Sequence, residues 1–179
     1  MNRLHILVIA IIGTLTAFTC VRAQDAFHRS TKCDTLWYAN SRPMVVTQVE
    51  HGFQKQFYEN GRLKLEAMYV RGQICGIVIQ YYQNGQTQHI RCFRNGRLHG
   101  MEAAWHENGM RMHIIHYAKG EEDGVTRAWY DTGMPMLEKH FVLGVQHGPS
   151  RCWDESGQLI SNRYFEKGVE VLRNSQESR

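Results

Sequence analysis

The chain has 179 residues and a formal net charge of +4, and its Lys and Arg are scattered, so it lacks the basic patch that marks a nucleic-acid binder. Hydrophobic residues make up 42% and charged residues 21% of the sequence, the balance of a folded domain rather than of a disordered chain.

Residues 1–23 read as a signal peptide, with Arg3 as the positive start, "LHILVIAIIGTLTAF" as the apolar stretch and "VRA" as a cleavage signal ending at Ala23. The apolar run is shorter than the roughly 20 residues that span a bilayer. Cys20 is a poor lipidation site because Phe18 and Thr19 precede it where small residues are usual. The protein is therefore expected to be exported, to the periplasm, the outer-membrane surface or the medium. Cleavage removes Arg3 and Arg22, so the charge falls to 4 − 2 = +2. Cys33, Cys75, Cys92 and Cys152 remain, which raises the question of disulfides in an oxidising compartment.

Residues 24–51 contain "DTLWYANSRPMVVTQVEH", where Trp37, Tyr38, Val45, Val46 and Val49 are apolar but out of phase with the periodic pattern of residues 52–172. This segment is expected to cap the first edge of a sheet.

From residue 52 to 172 the chain is an array. Gly52, Gly76, Gly100, Gly124 and Gly148 are spaced by 24, as are Gly61, Gly85, Gly109, Gly133 and Gly157, and Gly72, Gly96, Gly120, Gly144 and Gly168. Two aromatic columns run between them. One is Phe57, Tyr81, Trp105, Trp129 and Trp153, and the other is Tyr69, Phe93, Tyr117, Phe141 and Phe165. The array divides into five copies, at 52–75, 76–99, 100–123, 124–147 and 148–172, with a polar tail at 173–179. Each copy holds two short runs rich in aromatic and branched residues between glycine turns, the signal for serial β-hairpins. Glycines this frequent exclude helices, since each costs about 1 kcal/mol inside one. The fold class is all-β, an elongated antiparallel meander of hairpins about 9–10 Å apart along the array.

The first turn of each copy reads "ENG", "QNG", "ENG", "DTG" or "ESG". Thr132 and Ser156 suit positive φ poorly, so a type I turn closed by a left-handed glycine with a G1 bulge is expected. That loop pairs residue 57 with 63 and 53 with 67, which puts both aromatic columns on one face. By the same count Cys75 lies opposite Phe93 and Cys92 opposite Gly76. The two cysteines then project from opposite faces and cannot bridge, and any disulfide is expected to involve Cys33.

The unit in "FYENGRLKLEAMYVRGQICG" and its counterparts resembles the MORN repeat, and more closely the bacterial variant in proteins described as YwqK-like antitoxins. The resemblance covers Gly52 to Gly168. It implies an open β-meander that makes protein or membrane-surface contacts, with no catalytic residue in the repeat.

Among candidate ligands, His51, Cys75, His99, Asp123 and His147 share one column just before a glycine. Column neighbours lie two strands apart, too far for one zinc, so turn roles are expected and no metal. His113 and His116 are three apart on a strand and point to opposite faces, and His106 is one more member of a column. Cys152 shares its column with Gln56, Gln80, Ala104 and Ala128, which suggests packing. No nucleophile and base converge and no phosphate loop is present, so neither an enzyme nor a cofactor is expected. The reading is a non-enzymatic exported scaffold with a protein partner. Its alternatives are an aromatic-face module for envelope glycan or lipid headgroups, and a YwqK-like antitoxin that neutralises a toxin by binding.

Overall fold

The computed structural model describes residues 33–48 and 51–172, so the expectations for the signal peptide, Cys20, Val49 and the tail lie outside the described residues. The chain opens with β1 (Cys33–Trp37) and β2 (Pro43–Gln48). The first two copies are β3 (His51–Phe57) with β4 (Leu63–Val70), then β5 (Gln73–Ile74) and β6 (Gly76–Tyr81) with β7 (Thr87–Arg94). The next three are β8 (Arg97–Trp105) with β9 (Arg111–Ala118), β10 (Glu121–Glu122) and β11 (Gly124–Trp129) with β12 (Pro135–Val142), and β13 (Val145–Trp153) with β14 (Leu159–Glu166). The far edge is β15 (Val169–Val171). All pair antiparallel in chain order in one open sheet, with β5 on β4 and β10 on β9 as short side pieces. The all-β meander is as expected.

The first turn of each copy has the expected geometry. Gly61 N donates to Tyr58 O at 2.8 Å and Tyr58 N to Arg62 O at 2.8 Å, and Gly61 sits at φ +84°, the left-handed position that closes a type I turn with a G1 bulge. The Asn column has a reason other than φ, since Asn60, Asn84 and Asn108 do not sit at positive φ. Asn60 Oδ1 accepts from Arg62 N at 2.9 Å, Asn84 Oδ1 from Gln86 N at 2.8 Å and Asn108 Oδ1 from Met110 N at 2.9 Å, so the amide braces the residue just past the glycine.

The second turn of each copy is of the type I′ kind. Both central residues have positive φ, with Arg71 at 52° before Gly72 at 72° and Leu143 at 48° before Gly144 at 78°. This handedness matches the twist of adjoining strands.

The register corrects the sequence reading. Phe57 pairs with Leu63 as expected, but Gln56 then pairs with Leu65, and Phe53 pairs with Met68 rather than residue 67. One further residue, Lys64, is bulged out just past the turn. The same shift recurs at Tyr81 with Thr87, Trp105 with Arg111, Trp129 with Pro135 and Trp153 with Leu159. A one-residue slip inverts the facing of everything beyond it. The two aromatic columns therefore lie on opposite faces, not together. Tyr69 stands opposite Gly52, on the face of Gln54, whereas Phe57 shares its face with Lys55 and Phe53. The slip also moves Cys92 opposite Ile77, leaving Phe93 opposite Gly76, so the parity argument for the cysteines fails. Cys92 is a free, half-buried thiol.

The segment expected to cap the array is itself a hairpin of the same design, displaced by 20 residues instead of 24. Leu36 pairs with Val45 and Trp37 with Pro43, as Gln56 does with Leu65 and Phe57 with Leu63. Its turn bonds match too, Ser41 N to Tyr38 O at 3.0 Å and Tyr38 N to Arg42 O at 2.9 Å. Ser41 takes the glycine's place at φ 60°, so the glycine spacing of the array does not extend to this copy.

Because the sheet is a single layer, its core is thin. The buried apolar side chains are Ala67, Val78, Ile90, Ala103, Ala104 and Ala128, and no large side chain is fully buried among the described residues. All ten rings of the aromatic columns are half-buried.

Candidate functional site

The first aromatic column forms a strip on what we call the Trp face: Phe57, Tyr81, Trp105, Trp129 and Trp153. The rings belong to every second strand, so successive members are about 9–10 Å apart. Between them Ile79, Ile90, Ala103 and Ile114 succeed one another in direct cross-strand register. Toward the C-terminal end of that row the composition becomes ionic. Glu138 meets Arg127 at 2.9 Å, Arg151 at 3.0 Å and His140 at 3.5 Å. Burial works to raise the Glu138 carboxyl, but its bonds to Arg127 and His140 outweigh it and hold the group below the usual carboxylate range. At the other end Tyr81 Oη donates to Glu66 Oε1 at 2.9 Å. Burial and that bond together push the phenol well above its ordinary value. Arg111 lies over the Trp129 ring at 5.5 Å from its centroid, a cation–π contact that covers part of the indole.

A column absent from the sequence reading ties the copies together. Tyr38 Oη donates to Phe57 O at 2.9 Å, Tyr58 Oη to Tyr81 O at 2.7 Å, Tyr82 Oη to Trp105 O at 2.8 Å and Tyr130 Oη to Trp153 O at 2.8 Å. His106 holds the fourth place, Nε2 to Trp129 O at 3.3 Å. Each contact runs from a side chain of one hairpin to the carbonyl at a strand end of the next. The signal is present in the sequence, as a Tyr directly after four of the aromatics including Trp37.

The column of His99, Asp123 and His147 makes turn contacts, the role expected for it. Lys119 N donates to His99 Nδ1 at 3.3 Å, Leu143 N to Asp123 Oδ1 at 3.2 Å and Lys167 N to His147 Nδ1 at 3.4 Å. Each braces the type I′ turn of its own or the next hairpin, and the column does not converge. His113 and His116 face opposite ways as expected. His113 lies opposite Ala104, while His116, opposite Met101, sends Nδ1 to Val125 O at 2.9 Å.

On the second face Tyr69, Phe93, Tyr117, Phe141 and Phe165 stand opposite Gly52, Gly76, Gly100, Gly124 and Gly148 in the ladder. Along this face three polar residues come together that the sequence reading does not join. His89 and His113 both pair with Ala104 from its two sides. Glu102 is two residues before Ala104 on the same strand and so diagonal to both histidines. One ligand-type atom from each of the three falls within 4.8 Å of the others. Residues two strands apart thus approach more closely than strand spacing alone predicts. Ala104, with no exposed surface, is small enough to let the two imidazoles lean over it, and their ring centroids are 5.8 Å apart. His113 Nε2 is 3.6 Å from Glu102 Oε1. His113 in the first place, against burial, holds the Glu102 carboxyl low. Burial first, and then Arg91 and His113, hold His89 below its ordinary value.

The family of the MORN repeat variant matches at residues 50–71, 74–95 and 146–167. The second and third matches start 24 and 96 residues after the first, one and four repeat periods (74 − 50 = 24; 146 − 50 = 96). The two copies between the second and third match have the same turns and bulges. The chain is a MORN-repeat protein. Repeats of this kind generally mediate contacts with proteins or membrane surfaces. No curated protein matches the chain.

Proposed function

We propose that the protein is a non-enzymatic exported scaffold whose Trp face receives a protein partner. The observation that carries this reading is the strip of five half-buried aromatics on one side of a single-layer sheet. Apolar strips that stay accessible mark interaction sites, and large rigid rings supply most of the energy in protein interfaces. The ionic group around Glu138 borders the strip, giving an apolar centre with a charged margin, the usual anatomy of such interfaces. The signal-peptide reading of residues 1–23 supports a contact made in the envelope or outside the cell.

The alternative is a face for envelope glycan or lipid headgroups, since spaced indoles also stack on sugars and seat at membrane interfaces. A YwqK-like antitoxin role would use the same face against a toxin. Photo-crosslinking separates these readings. A benzophenone side chain at Arg127, on the Trp face, is expected to capture a protein in intact cells, while one at Arg163, on the opposite face, does not. Capture from Arg163 alone, or retention by glycan or lipid vesicles with no protein crosslink, would exclude the protein-partner reading. Mass determination of the mature N-terminus at Gln24 tests export.

A further inference from the structure

We propose that His89, Glu102 and His113 form a binding site for one divalent transition-metal ion of the zinc class. Two imidazole nitrogens and one carboxylate oxygen are the donor set that suits zinc and its neighbours, whereas calcium and magnesium call for oxygen alone. Zinc holds nitrogen and oxygen at about 2.0–2.2 Å, so its ligand atoms stand roughly 3.3 Å apart. The separation of His113 from Glu102 is 3.6 Å, and all three atoms lie within 4.8 Å. Binding of an ion would require the two imidazoles to turn and close the remainder.

A second observation points the same way. His89 Nδ1 is buried without a hydrogen-bond partner among the described residues, as is Arg91 Nε, and His113 Nε2 has only the Glu102 carboxylate, at 3.6 Å; a buried polar atom left unmatched in a native fold calls for a ligand, ion or water. The three residues come from β7, β8 and β9, so an ion would clamp two consecutive copies. Three protein ligands leave a fourth position open. Arg91 stands opposite Glu102 in the ladder, and Gln80 Oε1 accepts from its Nη2 at 3.1 Å. Its charge disfavours a bare cation beside it, and an anionic fourth ligand would relieve this, so the site is expected to bind less tightly than a closed four-ligand one.

The test uses the full chain stripped with a chelator. Titration with Zn2+ followed by calorimetry, and with Co2+ followed by its visible absorption, should show one ion per chain. His89→Ala, Glu102→Gln and His113→Ala should each weaken Zn2+ binding at least tenfold, while His116→Ala, on the other face, leaves it unchanged. Should a variant fail to fold, imidazole NMR of the wild-type chain decides, with His89 and His113 resonances shifting together on one equivalent of Zn2+. Absence of stoichiometric binding, an equal loss in His116→Ala, or a preference for Ca2+ or Mg2+ would overturn the proposal.

Discussion

Tyr82 Oη donates to the backbone carbonyl of Trp105 at 2.8 Å, joining the turn of one hairpin to the strand end of the next. Removing the hydroxyl in Tyr82→Phe leaves that part-buried carbonyl without its side-chain partner. The expected loss is about 0.5–1.5 kcal/mol, read by urea denaturation. His106→Tyr at the corresponding place, where the contact is 3.3 Å, should instead raise stability, and a loss there would show that the column does not act as a tie.

Leu143 holds φ at 48° in the turn before Gly144, a region that costs an ordinary L-residue about 1–2 kcal/mol and that Asn tolerates. Asn95 takes the same place at φ 51°. Leu143→Asn keeps the N–H that donates to Asp123 and removes an exposed apolar side chain. Its melting temperature should rise by several degrees. Leu143→Val, β-branched, should lower it.

Glu138 gives the protein a defined acid sensitivity. Its folded carboxyl titrates below the ordinary range of a glutamate, so the unfolded chain binds a proton more readily between the two values. The stabilisation is therefore complete at pH above the unfolded value and is lost as pH falls through the folded one. Thermal denaturation of wild type and Glu138→Gln from pH 7 to pH 3 should give curves that converge on the acid side. A constant difference at all pH values would contradict the assignment.

Trp129→Ala tests how far the Trp face contributes to folding. The ring is half-buried in a single-layer sheet, with Arg111 at 5.5 Å. The expected loss is about 1–3 kcal/mol, short of the roughly 3–5 typical of an aromatic truncated inside a core. Native-like circular dichroism together with loss of the crosslink from Arg127 fits a contact surface, whereas global unfolding would mark the column as core.

The 24-residue period, the hairpins and the glycine-closed turn are legible in the order of residues, because each depends on local backbone preferences at Gly61 and its equivalents. The face each aromatic occupies is not. It depends on whether Lys64 and its counterparts enter the ladder or bulge from it, and that is settled by pairing between strands, where a single residue reverses every side chain beyond it. The sixth hairpin at 33–48 is hidden for a similar reason: Ser41 can adopt the turn once Tyr38 and Arg42 hold it, though nothing in its own preference announces that. The meeting of His89, Glu102 and His113 belongs wholly to the tertiary structure. Their numbers give the column but not the size of Ala104 as the space across which two imidazoles meet, nor the diagonal that brings the carboxylate to both.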